Sequence, residues 1–451
     1  MIYGSICSRP LLLPANFNEK EVMMMQHPLR CWSGKSVVLA LGIASTFSTV
    51  AATKLTLVEV ITSPARTEML QKMLTEYKAQ HPGTEIEVVS LPWGQAFEKL
   101  GTMLQSGQVP DVVEMPDTWQ GLYASNNMLE DLEPQLKSWS ATPELTDKAL
   151  AMARAANGKA TMIPYGFYLR AMFWNKKLFQ QAGLSEPPKT MDEFEADAKK
   201  ISALGNGISG YCMRGGVGGT NAWMMFMAAM NGSPAFFDPQ GNSTLTQPGA
   251  LKGAQLLVDM YKSGGAPKDS VNWGFNEIVS GFYSGKCAML DQDPDALIAI
   301  KNSMNPDDFA VAPMPVGPSG KAFPTIGYTG WSVFKQAGQK AQSWQLIQFL
   351  SSKENNLTWS KFVGTLPIYK GAESDPYFHT PQFAGWFTEL NDPKYVPLTM
   401  PTHLKGWGYF NSVIVKESSQ ETLLDQNDTE SMVEDWAKYL TKEQKAWMAA
   451  Q

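Results

Sequence analysis

From residue 53 onward, short apolar runs alternate with stretches whose apolar residues recur every three or four positions. That is the pattern of strands exchanging with helices. Residues 54–60 place Leu55, Leu57, Val58 and Val60 in a strand. Ser63-Pro64 then opens a helix, proline being tolerated in a first turn. Leu70, Met73, Leu74 and Tyr77 give that helix one apolar face until Pro82-Gly83 stops it. Residues 85–91 form a second strand, Phe97, Leu100 and Leu104 mark the next helix, and 110–113 is a short buried strand. Strand–helix repetition of this kind predicts an α/β fold with parallel pairing through helical crossovers. Further on, 171–175 is a strand, 187–190 a turn before a helix over 192–204, and the glycine run 215–219 enters an apolar stretch over 223–230. Helical spacing returns over 251–261 and 343–350, and in a last helix with Met432, Val433, Trp436, Tyr439 and Leu440 on one face.

The 451 residues exceed one ordinary core, so two domains are expected, and 44% hydrophobic against 18% charged residues excludes a disordered chain. No repeat or low-complexity linker separates two domains, which implies that the chain crosses between them more than once. The net charge of −6 lacks the basic footprint that phosphate neutralisation requires, so no nucleic-acid partner is expected. At the N-terminus, Arg30 and Lys35 precede an apolar run over 37–44 and then small residues ending in Val50-Ala51-Ala52. This is the order of a secretory signal peptide, too short in its apolar part to span a bilayer. A signal peptide over 1–52 is expected, with Met25 an alternative start. Cys212 and Cys287 lie beyond it. An oxidising compartment permits a bridge between them, but a single pair sets no framework, and they are read as two separate buried thiols.

Little points to catalysis. His81, His379 and His403 share no metal-ligand spacing. Gly34-Lys35-Ser36 ends like a phosphate-binding loop, yet Leu29 stands where its first glycine is needed, and 215–219 does not fit G-x-G-x-x-G. Asp291, Asp293 and Asp295 alternate as in a calcium loop, but Pro294, Ala296 and Asn302 break that pattern. No metal, cofactor or enzymatic activity is expected.

Four stretches carry a family resemblance. They are Trp93-Gly94-Gln95 with Lys99-Leu100, Ser106-Gly107 and Pro110-Asp111-Val112-Val113; Ile163-Pro164-Tyr165 with Trp174-Asn175-Lys176, Leu178-Phe179, Ala182-Gly183 and Pro187-Pro188-Lys189-Thr190; Phe282 with Gly285-Lys286 and Ala288-Met289; and Gly327-Tyr328-Thr329-Gly330-Trp331 with a helix over 341–350 and Leu366-Pro367. In this order and spacing the chain resembles the extracellular solute-binding proteins (family 1) of sugar ABC importers, the group that includes maltose-binding protein. The resemblance implies a two-lobed, type II periplasmic-binding-protein fold whose lobes are joined by a hinge of several crossovers. Lobe one would hold 53–165 and 290–327, and lobe two 166–289 and 328–451. It further implies a monomer in the periplasm that takes a small carbohydrate into the cleft and passes it to a membrane permease. A charged solute (a sugar phosphate, uronate or polyamine) is the alternative, and a secreted carbohydrate-active hydrolase a third.

A sugar presents C–H faces that pack on aromatic rings and hydroxyls that seek carboxylates, amides and arginine. Loops after strands that supply both are therefore the candidates. Glu114, Asp117 and Trp119 follow the strand at 110–113, with Trp119 alternatively in the core. Trp93 and Gln95 follow the second strand, and Trp93 is alternatively packed inward. Thr62 and Arg66 flank the first turn, where Arg66 is read rather as a surface charge. The segment 165–174 brings Tyr165, Tyr168 and Arg170. The resemblance places Tyr168 at a ligand-contacting position where maltose-binding protein carries an acid, which argues against maltose itself. Arg170 is read either as a cleft cation or as one half of a hinge salt bridge. Asn221 and Trp223 follow the glycine run. Asp291, Gln292 and Asp295 are expected hydroxyl partners. Tyr328 and Trp331 complete the set, Trp331 alternatively in the core, and Trp273 and Trp407 are weaker candidates.

Overall fold

The computed structural model describes residues 53–450; the expected signal peptide over 1–52 lies outside the described residues. The chain opens as β1 (Thr53–Glu59), α1 (Pro64–Gln80), β2 (Thr84–Ser90), α2 (Trp93–Gln105), β3 (Val112–Pro116) and α3 (Asp117–Ser125). Local chemistry sets these boundaries. Ser63 caps α1 by accepting from the Arg66 N–H, with Pro64 in the first turn. Leu70, Met73, Leu74 and Tyr77 form the buried face of α1. β1 pairs in parallel with both β2 and β3, as the strand–helix alternation requires.

Two more strands follow, β4 (Ile163–Leu169) and β5 (Ala171–Asn175), separated only by Arg170. They belong to different sheets. β4 pairs antiparallel with β9 (Thr325–Ser332), which also pairs with β3 and, in parallel, with β10 (Leu398–Thr399). This first sheet has six strands. β5 lies in a four-stranded second sheet with β6 (Ser209–Tyr211), β7 (Cys287–Gln292) and β8 (Phe309–Ala312), in the order β6-β7-β5-β8. The chain thus passes from sheet to sheet at Arg170 and returns between Ala312 and Thr325. The expected split put 290–327 with the first lobe. Antiparallel pairing of β5 with β7 and with β8 instead places 290–292 and 309–312 in the second sheet, and the expected placing of 328–451 in lobe two fails at 328–332 and 398–399, which β9 and β10 hold in the first sheet.

Helices cover both sheets. Thr190 caps the helix Met191–Ser202 in a reciprocal box with Glu193. The helix Thr220–Asn231 is apolar almost all round and is buried accordingly. Trp436, on the helix Thr429–Ala449, packs edge-on against Trp223 at 5.7 Å. One expectation fails here: Cys212 and Cys287 are joined in a disulfide. The parallel register of β6 on β7 sets Ser209 beside Cys287 and holds the Cys212 N–H on the Met289 carbonyl. The two Cα atoms are 5.4 Å apart, within bridging range.

Candidate functional site

A cleft of about 920 Å³ opens between the two sheets. Its first wall is built from the loops leaving the carboxyl ends of β1, β2 and β3, where open α/β sheets place ligands. Trp93 stands in the first turn of α2, behind Pro92. It is half-buried and lies flat on Trp119, ring centroids 5.3 Å apart and planes 8° apart. The free face of Trp93 is an apolar shelf in the cleft wall. Asp117 opens α3 and accepts the Thr118 N–H at 2.7 Å. Burial pushes its carboxyl up to about 7, against the opposing bonds from Thr118 and Tyr328.

The floor forms where the chain passes between sheets. Tyr168, Arg170, Gln292, Asp293 and Asp295 meet there. Arg170 is paired with Asp291 at 2.5 Å and stands 3.9 Å from Asp293. Of the two functions read for Arg170, the crossover ion pair is the one it makes. Asp295 accepts from the Gln292 amide at 3.3 Å. Burial, with the charge of Asp293 beside it, pushes the Asp295 carboxyl up to about 7, and burial raises Asp293 too. The far wall is the turn after Cys212, carrying Arg214, Gly216, Gly218 and Asn221, with Phe275 and Tyr283 from the helix Phe275–Tyr283.

Of the residues singled out in the sequence, Trp93, Asp117, Tyr168, Arg170, Asn221, Gln292, Asp295 and Tyr328 line the cleft, as does Thr62. The others are placed elsewhere. Gln95 is exposed outside the cleft, because two helical positions turn it about 200° from Trp93. Trp119 is buried behind Trp93. Glu114 is consumed internally: one oxygen accepts the Val60 and Ile61 N–H groups, the other accepts Arg66 at 3.0 Å and the Tyr165 hydroxyl at 2.7 Å. Tyr165 is held in that network and packs on Trp331 and Trp359. Asp291 is engaged by Arg170 and by the Tyr211 hydroxyl. Trp223 is core, and Trp331 faces away from Tyr328 because three positions along a strand invert the face. Trp407 is core as well, and Trp273 packs under Lys286.

Arg66, read also as a surface charge, is 4% exposed. Burial opposes its charge, yet Tyr165 and Glu114 hold its guanidinium above the ordinary arginine range. Arg214, Asp293, Phe275 and Tyr283 were missed. Arg214 had a signal in its position directly before the glycine run, and Asp293 in lying between two acids already noted. The two aromatics had none, since nothing local marks which face of their helix meets the cleft.

Two α/β bodies around one deep cleft at strand ends define a two-lobed binding fold. The family described as bacterial extracellular solute-binding protein matches residues 63–357, and the chain belongs to that family. Among its relatives, a binding protein of Brucella abortus (strain 2308) is 26% identical over 367 residues, 80% of this chain and 86% of that one. The maltotriose-binding protein of Pyrococcus abyssi (strain GE5 / Orsay) is 25% identical, covering 69% of this chain and 66% of that one. Among solved structures, maltose-bound MalE3 of T. maritima superposes with a TM-score of 0.76 at 24% identity, covering 86% of this chain and 99% of that chain. This last likeness is one of fold.

Proposed function

We propose that the protein binds a mono- or oligosaccharide in the cleft and delivers it, as a periplasmic monomer, to the permease of an ABC importer. It is a binder and not an enzyme. The observation that carries this is the pairing of surfaces in one cleft. A flat, backed tryptophan shelf at Trp93 suits sugar C–H faces, and carboxylates at Asp117, Asp293 and Asp295 with the Gln292 amide suit hydroxyls. The names of the maltotriose-binding relative and of the maltose-bound neighbour agree with it.

In this reading the lobes are the bodies around the two sheets, and the hinge is formed by Arg170 and by the return between Ala312 and Thr325. Ligand is stacked on one lobe, and closure completes its hydrogen bonds on the other. That difference in affinity is what shifts the population toward the closed form. A thermal-shift screen over neutral sugars, sugar acids and polyamines tests the ligand class. A ligand at 100 times its Kd adds about 2.7 kcal/mol of stability. X-ray scattering with a hit should show compaction, and unchanged dimensions would count against the hinge. Sugar recovered intact after incubation separates binder from hydrolase, and cleavage products would overturn the binder.

A further inference from the structure

Three arginines reach the cleft, in different electrostatic settings. Arg66 is paired with Glu114 and Arg170 with Asp291. Arg214 has no such partner among the described residues. Its Nε donates to the Val217 carbonyl at 2.8 Å, and its guanidinium carbon lies 5.9 Å from the Phe275 ring. It is 6% exposed, and burial, reinforced by Arg170, draws it down to about 10. Among the described residues the lining holds, besides the paired Arg66 and Arg170, the cations Arg214 and Lys416, the latter 3.7 Å from Glu417, and the carboxyl groups of Asp117, Glu277, Asp293 and Asp295.

The seat of Arg214 is built with glycine. Gly218 has φ +90°, and a Cβ there would collide with the Arg214 guanidinium. Gly215 and Gly219 leave equally little room, against the backbone of Val271 and of Arg214 itself. The turn is tied down by Gly215 N–H on the Ser270 carbonyl at 2.9 Å and Gly216 N–H on the Trp273 carbonyl at 2.8 Å. Four glycines in five positions thus fold a backbone tightly under one side chain that faces the cleft.

We propose that Arg214 is the specificity-determining residue of this cleft, reading neighbouring hydroxyls of a neutral sugar together with Asp293 and Asp295, with the turn 215–219 as its seat. The inference rests on the carbohydrate reading of the cleft and sharpens it. A guanidinium only donates, a carboxylate only accepts, and a hydroxyl does both. The floor shows the same mixed demand: among the described residues, Gln292 Oε1 is buried without a donor, while Arg66 Nη1 and Arg170 Nε are buried without acceptors. An anion at this place would satisfy the donors but face the carboxyl groups of Asp293 and Asp295. An ammonium would satisfy the acceptors but face Arg214.

The test is calorimetric titration with glucose, maltose, maltotriose, a galacto-oligosaccharide, glucuronate and glucosamine. The proteins are wild type, Arg214→Lys, Arg214→Met, Gly218→Ala, the Arg214→Met/Gly218→Ala double variant, and Gly320→Ala. Gly320 is a surface control with positive φ and open space around it. Arg214→Met should weaken the bound neutral sugar by about tenfold or more, and Arg214→Lys nearly as much, since a point charge does not replace a fork. Gly218→Ala should lose affinity to a similar degree, the double variant should be no worse than the single ones, and Gly320→Ala should bind as wild type. Melting temperatures verify folding, and the lysine and methionine variants decide the matter if Gly218→Ala does not fold. A neutral sugar bound within twofold of wild type by Arg214→Met overturns the proposal and leaves the carbohydrate reading standing. So do losses that multiply in the double variant, or glucuronate or glucosamine bound more tightly than any neutral sugar. No binding of any neutral sugar by wild type overturns both.

Discussion

Trp93 lies on Trp119 as a parallel pair, planes 8° apart, with one ring in the cleft wall and the other buried beneath it. Two residues chosen for the same chemistry therefore divide it: Trp93 presents a surface, and Trp119 fixes where that surface stands. Phe97 closes on Trp119 from the side at 5.4 Å, so the buried ring has little freedom. Trp93→Ala should lower sugar affinity by about tenfold with little change in melting temperature. Trp119→Ala should cost about 3–5 kcal/mol in urea unfolding. Equal destabilisation by both substitutions would mean that Trp93 is packing and not a platform.

Glu114 answers four donors at the base of the first wall, and Arg66 depends on it for charge balance. Both side chains are almost fully buried, that of Arg66 5% and that of Glu114 1% exposed. Glu114→Ala strands the guanidinium and two backbone N–H groups and should cost about 3–5 kcal/mol. Replacing both partners, as Glu114→Leu with Arg66→Met, should recover part of that loss, because no buried charge then remains alone. Urea unfolding of the single and double variants measures the difference. A double variant less stable than Glu114→Ala would show that the bonds of Arg66 to the Ile61 carbonyl and the Tyr165 hydroxyl outweigh the cost of its unpaired charge.

The α/β alternation, the helix start at Ser63-Pro64, the turn before the helix at 192, and the buried faces of the helices were legible because each is a short-range pattern. The strand at Ala171–Asn175 was read to the residue, since aromatic and apolar side chains run uninterrupted through it. What the chain conceals is which partner a polar residue finds. Glu114 and Asp117 sit three positions apart in the same segment. One is consumed by backbone amides and Arg66, the other is left facing the cleft, and only the position of α1 over β3 decides this. Arg214 shows the reverse case. Its neighbours are glycines, so its local sequence reads as a loop, and its function depends on carbonyls some sixty residues away in the segment Lys268–Asn272 and at Trp273. The segments 290–292, 309–312 and 328–332 lie in the other sheet from the one expected for a related reason, since strand pairing across a crossover leaves no periodic trace.

The Cys212–Cys287 bridge closes a loop of 75 residues under the turn that carries Arg214. Cross-linking a loop of that size restricts the unfolded chain, and losing a native disulfide typically costs about 2–5 kcal/mol. Cys212→Ser with Cys287→Ser should lower the melting temperature accordingly, and the wild type should soften to the same degree under a strong reductant. A peptide map of the unreduced protein should contain the linked Cys212 and Cys287 peptides. Recovery of both as free thiols from protein kept oxidised throughout would refute the bridge.

Asp117 makes stability depend on pH in the less common direction. Its carboxyl sits near 7 in the folded protein through burial, against about 3.9 in an unfolded chain. Between these values the folded state keeps a proton that the unfolded state has lost. The unfolded state then binds fewer protons, and stability falls as pH rises. The favourable contribution is complete below about pH 4, is lost progressively up to about pH 7, and changes no further above that. The groups acting on Asp117 are the N–H donors of Thr118 and Tyr328, which oppose the shift, and the charge of Asp293, which adds to it. Asp117→Asn cannot ionise, so wild type should lose stability relative to it as pH is raised from 4 to 7, with a constant gap beyond. Asp295, also near 7, should show the same trend in Asp295→Asn. Unfolding curves of wild type and both variants at four pH values across this range measure the gap; one that does not move with pH would mean these carboxyls titrate as exposed groups.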